Sequence, residues 1–126
     1  MDICKNLNTI THFNKSVLTI GSFDGIHCGH IEIIKELIKR AEKNKCPSIV
    51  ITFDPHPKSI LQKDTKEKWN ILMDIDKKLD IFKQNKIDYV WLIPFSEDFA
   101  QISADKFLDN YIMKYFNPID VIIGYD

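Results

Sequence analysis

The stretch Gly21-Ser22-Phe23-Asp24-Gly25-Ile26-His27-Cys28-Gly29-His30 lies between a β-branched run, Val17-Leu18-Thr19-Ile20, and a segment with helical periodicity. A glycine-dense turn lets backbone N–H groups approach an anion closely, and the start of a helix adds unpaired donors and a positive dipole end. Phosphate is the ligand that suits such a junction. The stretch is neither a GxxxxGK[ST] loop nor a GxGxxG fingerprint. In their place His27 and His30 bracket Gly29. Helical side chains lean toward the N-terminus, so two imidazole donors can face one anion, and Gly29 has no Cβ to hold off a ligand lying against the backbone. A lone histidine is ordinarily a packed or solvated residue. His-x-Gly-His after a glycine-rich turn points instead to phosphate chemistry.

Three further stretches could share that site. Thr52-Phe53-Asp54-Pro55-His56-Pro57 closes a second apolar run, and its two prolines stiffen the exit and hold His56 in extended backbone. It also reads as a rigid loop with a surface histidine, yet three of the four histidines fall at the ends of two strands. Pro94-Phe95-Ser96-Glu97-Asp98-Phe99-Ala100 follows a third run, and its aromatics read as core or lid packing. Gly124-Tyr125-Asp126 follows a fourth. A metal site built from His27, His30, His56 and a cysteine is a weaker alternative, because no partner carboxylate is clearly placed; no metal site is expected.

The elements that must position these residues are legible in the pattern. Val17–Ile20, Ser48–Phe53, Tyr89–Ile93 and Val121–Ile123 read as buried strands. Ile34, Leu37, Ile38 and Ala41 recur at helical spacing opposite Glu32, Lys35, Glu36, Lys39 and Glu42, which predicts a helix over 29–44 with Asn44 as its left-handed cap. Asp74 suits the cap of a second helix carrying Ile75, Leu79 and Phe82 inward as far as Asn85. Ser103 suits the cap of a third, with Ala104, Phe107, Leu108, Tyr111, Ile112, Tyr115 and Phe116 inward. Strands alternating with helices imply crossover connections and a doubly wound parallel α/β sheet, whose ligands gather outside the carboxyl ends of the strands.

Composition narrows the partners. The chain has 126 residues, of which 44% are hydrophobic, enough for one domain with a real core and too apolar for disorder. A net charge of −1 argues against nucleic acid bound through a strongly basic face. Arg40 is the single arginine, and the pattern sets it on the solvent side of the first helix. Cys4, Cys28 and Cys46 show neither a disulfide framework nor CxxC spacing, so reduced thiols in a cytoplasmic setting are the expectation. No signal-peptide core or membrane-length apolar run is present, so no membrane partner is expected.

In these residues the chain resembles the HxGH nucleotidylyltransferases, and more narrowly the FMN adenylyltransferase module of prokaryotic FAD synthetases. Gly21 to His30, Thr52 to Pro57, Pro94 to Ala100 and Gly124-Tyr125-Asp126 carry the likeness in order, from about residue 15 to the end. The first stretch alone would admit other nucleotidylyltransferases; the second and third point to the flavin branch. The resemblance implies a Rossmann-like fold of the nucleotidylyltransferase type and transfer of AMP from ATP to FMN, giving FAD and pyrophosphate. Mg2+ would be carried on the phosphates. It implies that His27 and His30 hold the phosphates, and that Gly21, Ser22, Phe23 and Gly29 shape the nucleotide site with Asp126 beside it. Phe53, Pro55, His56 and Pro57 would lie toward the flavin.

The family pattern continues past Gly-Tyr-Asp with a Phe-x-Phe-Gly stretch, an Ile-Ser-Ser-Thr-x-x-Arg motif and usually a riboflavin kinase domain, none of which occurs here. The expectation is therefore that residues 1–126 form the N-terminal part of the adenylyltransferase domain, with a sheet incomplete at its C-terminus and self-association through the unfinished edge. Another HxGH transferase, or a nucleotide-binding module without catalysis, stays open beside that reading.

Overall fold

The computed structural model describes residues 1–5, 12–21, 23, 28–54, 75–94 and 96–123. Strands β1 (Asp2–Cys4), β2 (Ser16–Ile20), β3 (Ser48–Asp54), β4 (Tyr89–Pro94) and β5 (Pro118–Ile123) form one sheet in the order β1-β4-β3-β2-β5. Every pairing is parallel. The four expected strands are present, and β1 is an addition. Its three residues are too short to show an alternation, and it takes its place by pairing Asp2, Ile3 and Cys4 with Tyr89, Val90 and Trp91. β5 begins earlier than its apolar run: Pro118 is tolerated as the first residue of an edge strand, where no donated ladder bond is needed.

Side chains alternate between two cores, as a sheet covered on both faces requires. Helices α1 (Cys28–Lys43) and α2 (Ile75–Gln84) cover one face, where Val17, Val50 and Val90 pack with Ile34, Leu37, Ala41 and Phe82. On the other face Leu18, Ile49, Ile51, Trp91 and Ile93 pack with Ile112 and Phe116. Polar groups buried in β2 are bonded: Ser16 Oγ donates to the Phe116 carbonyl at 2.7 Å and Thr19 Oγ1 to the Ile122 carbonyl at 2.6 Å. These bonds avoid the cost of an unmade buried one.

After α3 (Glu97–Ala100), the second face is covered by a continuous helical stretch whose middle is widened: α4 (Ala104–Phe107), a π-helical segment (Leu108–Met113) and α5 (Lys114–Phe116). The expected cap is there, with Ser103 Oγ accepting from the Lys106 amide at 3.2 Å. The inward set differs. A π segment spends an extra residue per turn and shifts the phase of the stripe, so Ala104 and Leu108 are exposed while Ile112 and Phe116 stay buried.

The left-handed residue after α1 is Lys45, with φ 53°, and not Asn44. Asn44 instead returns its side-chain amide to the Arg40 carbonyl at 2.8 Å. Asp74, the expected cap of α2, lies outside the described residues.

Candidate functional site

β2 has β3 on one side and β5 on the other, so the chain leaves the sheet after Ile20 at the point where strand order reverses. A doubly wound sheet opens a crevice there, because the helices on either side of the reversal lie on opposite faces. The Gly21 amide extends the ladder one step by donating to the Ile51 carbonyl at 3.0 Å. Two residues later Phe23 has φ 51°. A left-handed bulky residue is a sparsely populated conformation that persists only where its surroundings enforce it. Here the enforcement is packing: Phe23 is 2% exposed and meets Phe82 of α2 edge-on at 5.6 Å between ring centroids.

The same ring also meets a candidate site residue. His30, third residue of α1, meets Phe23 at 5.3 Å with the planes 61° apart, and is itself 2% exposed. The first turn of the helix thus sets an imidazole against a residue of the glycine-rich turn, with the backbone of Gly29 one step before it. Gly21, Phe23, Gly29 and His30 come together at this junction. Ser22, His27, Pro55, His56, Pro57 and Asp126 lie outside the described residues.

Phe53 stands apart from this group. It belongs to the other face, where its ring meets Phe99 at 6.2 Å, and Phe99 meets Phe107 edge-on at 5.6 Å. The ends of β3 and β4 therefore share an aromatic wall across the sheet from His30. Ser96 fixes the segment that brings Phe99 there, its Oγ accepting from the Phe99 amide at 3.1 Å.

Arg40 lies on the solvent side of α1, its side chain 39% exposed, but it is not a spare cation. Its Nε donates to Glu36 at 2.9 Å and its Nη1 to Asp120 of β5 at 3.0 Å, and both bonds raise its pKa. Asp120 is level with Val17 near the start of β2, so this guanidinium clamps α1 to β5 at the end of the sheet away from the turn.

Lys78 carries no signal in a reading that assigns charge to the solvent face. It is 3% exposed in α2, one turn before Phe82. The i, i+4 spacing to Phe82 is the mark that could have found it.

A groove of about 530 Å³ lies at the amino ends of β3 and β4 and is lined by Cys46, Pro47, Ser48, Lys86 and Asp88 among others. Asp88 there accepts from the Ser48 amide at 2.9 Å, tying the strand starts together. Burial pushes the Cys46 thiol up, which leaves it protonated and a weak nucleophile. The turn after β2, by contrast, has the left-handed Phe23 and the buried imidazole of His30.

The family model for FAD synthetase matches residues 9–126. The chain is 32% identical over 127 residues to the bifunctional riboflavin kinase/FMN adenylyltransferase of Buchnera aphidicola subsp. Schizaphis graminum, covering 100% of this chain and 40% of that protein. It is 33% identical over 112 residues to the Bacillus subtilis protein of the same name, covering 89% and 35%. Among solved structures, one titled as a macrolide-efflux protein from Streptococcus pneumoniae superposes with a TM-score of 0.81 at 29% identity, over 97% of this chain and 41% of that one. The chain thus spans about two fifths of the length of the first curated relative. Among the described residues, no helix is long and apolar enough to cross a membrane.

Proposed function

The chain belongs to the FAD synthetase family, and from that premise we propose that residues 1–126 are the N-terminal part of a cytoplasmic FMN adenylyltransferase domain that moves AMP from ATP to FMN. An oxygen of the FMN phosphate attacks the α-phosphorus of ATP; the bond from that phosphorus to the bridging oxygen breaks, and pyrophosphate leaves with the electron pair. The attacking group belongs to a substrate, so the protein's task is positioning and electrostatic stabilisation.

The observation that carries this reading is the β2–turn–α1 junction at the strand-order reversal, where His30 is held against the left-handed Phe23. Backbone donors of a helix start and a fixed imidazole stabilise charge building on the α-phosphate and on departing pyrophosphate. His27 would supply the second ring donor. Gly21, Ser22 and Phe23 would wall the nucleotide, Gly29 would let it lie close, and Asp126 would stand beside it. Phe53 and the loop through Pro55, His56 and Pro57 would face the flavin.

The donors described at the junction are amides and an imidazole, which suit phosphate oxygens. Mg2+ prefers oxygen ligands, and among the described residues no group of three or more His, Cys, Asp or Glu is arranged to hold an ion. Mg2+ would be carried on the oxygens of ATP, as the family resemblance implies.

The exposed side of β5 supports a second copy of the chain as a partner. β5 is an outer strand, and Ile123 at its end is 76% exposed, the kind of apolar edge that pairs with another chain.

Titration calorimetry with MgATP and then FMN tests the function, using this chain and His30→Ala, with FAD followed by chromatography. The expected result is ATP binding weakened by His30→Ala and, where FAD forms, a rate lower by about 100- to 1,000-fold in the variant. A folded chain that binds neither substrate refutes the reading. Binding of both without FAD would identify a nucleotide-binding module instead.

A further inference from the structure

Lys78 is the one lysine or arginine among the described residues that is fully buried, at 3% exposure. Lysine is almost never so buried without a reason, because taking an ammonium out of water is costly. Its place in the fold supplies one. β3 and β4 are parallel neighbours, so the helix between them, α2, must run back from the carboxyl ends of the strands to their amino ends. Residues early in α2 therefore lie nearest the crevice.

Phe82 already touches Phe23, and Phe23 touches His30. Lys78 precedes Phe82 by one turn on the same buried face, about 6 Å closer to the carboxyl ends. Its side chain leans further in that direction, toward the N-terminus of its helix.

We infer that Lys78 is a cationic donor for the phosphate chain of the nucleotide, reaching from α2 to the ligand that His30 meets from α1. This rests on the nucleotide-binding reading above. Lys78 is already engaged within the fold, and an ammonium has three donors; this role requires that one of them meet a phosphoryl oxygen when the nucleotide binds. In a water-poor position its charge acts on a phosphate with less screening than a surface lysine's would. Arg40 is committed to Glu36 and Asp120, and Lys78 is the buried positive charge among the described residues.

The test is calorimetry of the full chain with MgATP, pyrophosphate and adenosine, comparing wild type with Lys78→Met and Lys78→Arg after circular dichroism has shown native folding. Lys78→Gln takes the place of Lys78→Met if the latter does not fold. The neutral variant should weaken MgATP and pyrophosphate by about 10- to 100-fold, the range for a charge-assisted hydrogen bond. It should leave adenosine within about twofold and flatten the salt dependence of ATP binding, while Lys78→Arg should keep most of the affinity. Equal ATP binding in the neutral variant overturns the inference. So does an equal loss for adenosine and ATP, which marks a purely structural lysine. If wild type binds no ATP at all, the parent reading falls with it; if wild type binds and the neutral variant does so equally well, only the role of Lys78 falls.

Discussion

Replacing Phe23 by alanine and, separately, by glycine separates the value of its ring from the cost of its backbone. Both substitutions delete a ring that is 2% exposed and touches two other aromatic rings, and deletion of a buried phenylalanine costs about 3–5 kcal/mol. They differ in the backbone alone. At φ 51° alanine keeps the steric penalty of the left-handed region, about 1–2 kcal/mol, whereas glycine has none. Glycine loses more conformational freedom on folding, about 0.5–1 kcal/mol. Glycine should therefore be the more stable of the two by about 1 kcal/mol. With ordinary negative φ at residue 23 the order reverses, so the sign decides. Urea unfolding measures it: with a slope of about 1–3 kcal/mol/M, the glycine variant's midpoint should lie higher by roughly 0.3–1 M at equal slope. An alanine variant as stable as the glycine variant, or more so, would refute a turn held open by packing against Phe82 and His30.

Two other outcomes follow from groups remote from the turn. Burial first, and a hydrogen bond with Cys4 second, push the Tyr89 phenol well above the usual tyrosine range. The folded state then holds that proton longer than the unfolded chain, so the contribution of Tyr89 is fully present below about pH 10 and is lost as pH rises beyond it. Tyr89→Phe should flatten the fall of stability between about pH 10 and 11 by up to about 1.4 kcal/mol per pH unit; urea midpoints against pH with identical slopes in both proteins would count against this. Ile123→Lys, at the exposed end of β5, should lower the average mass seen by light scattering, and a wild-type chain that is monomeric across its concentration range contradicts pairing through that edge.

Much of the frame was legible because it is made of runs that have one good use. Ser48–Asp54 and Tyr89–Pro94 are apolar on both faces, which only a covered parallel sheet satisfies, and α1 shows its buried stripe plainly in Ile34, Leu37 and Ala41. β1 was not legible, since Asp2–Cys4 is too short to display a period and is a strand by virtue of Tyr89–Trp91 beside it. The π segment was hidden for a related reason. Ala104 and Leu108 fit a 3.6-residue stripe on paper, and only packing against Trp91 and the strands reveals where the phase shifts. At the site, residue types announced the turn and His30. The left-handed Phe23 and the buried Lys78 were beyond a reading that asks glycine to take positive φ and lysine to face water.

The link among Arg40, Glu36 and Asp120 has a mechanical consequence. α1 is a rod with His30 near one end and Arg40 ten residues on, about 15 Å away. The far end is riveted to β5, the strand on the other side of the reversal from β3. Arg40 and Asp120 are 39% and 38% exposed, so the link fixes where the far end of α1 sits against β5 and adds little to stability.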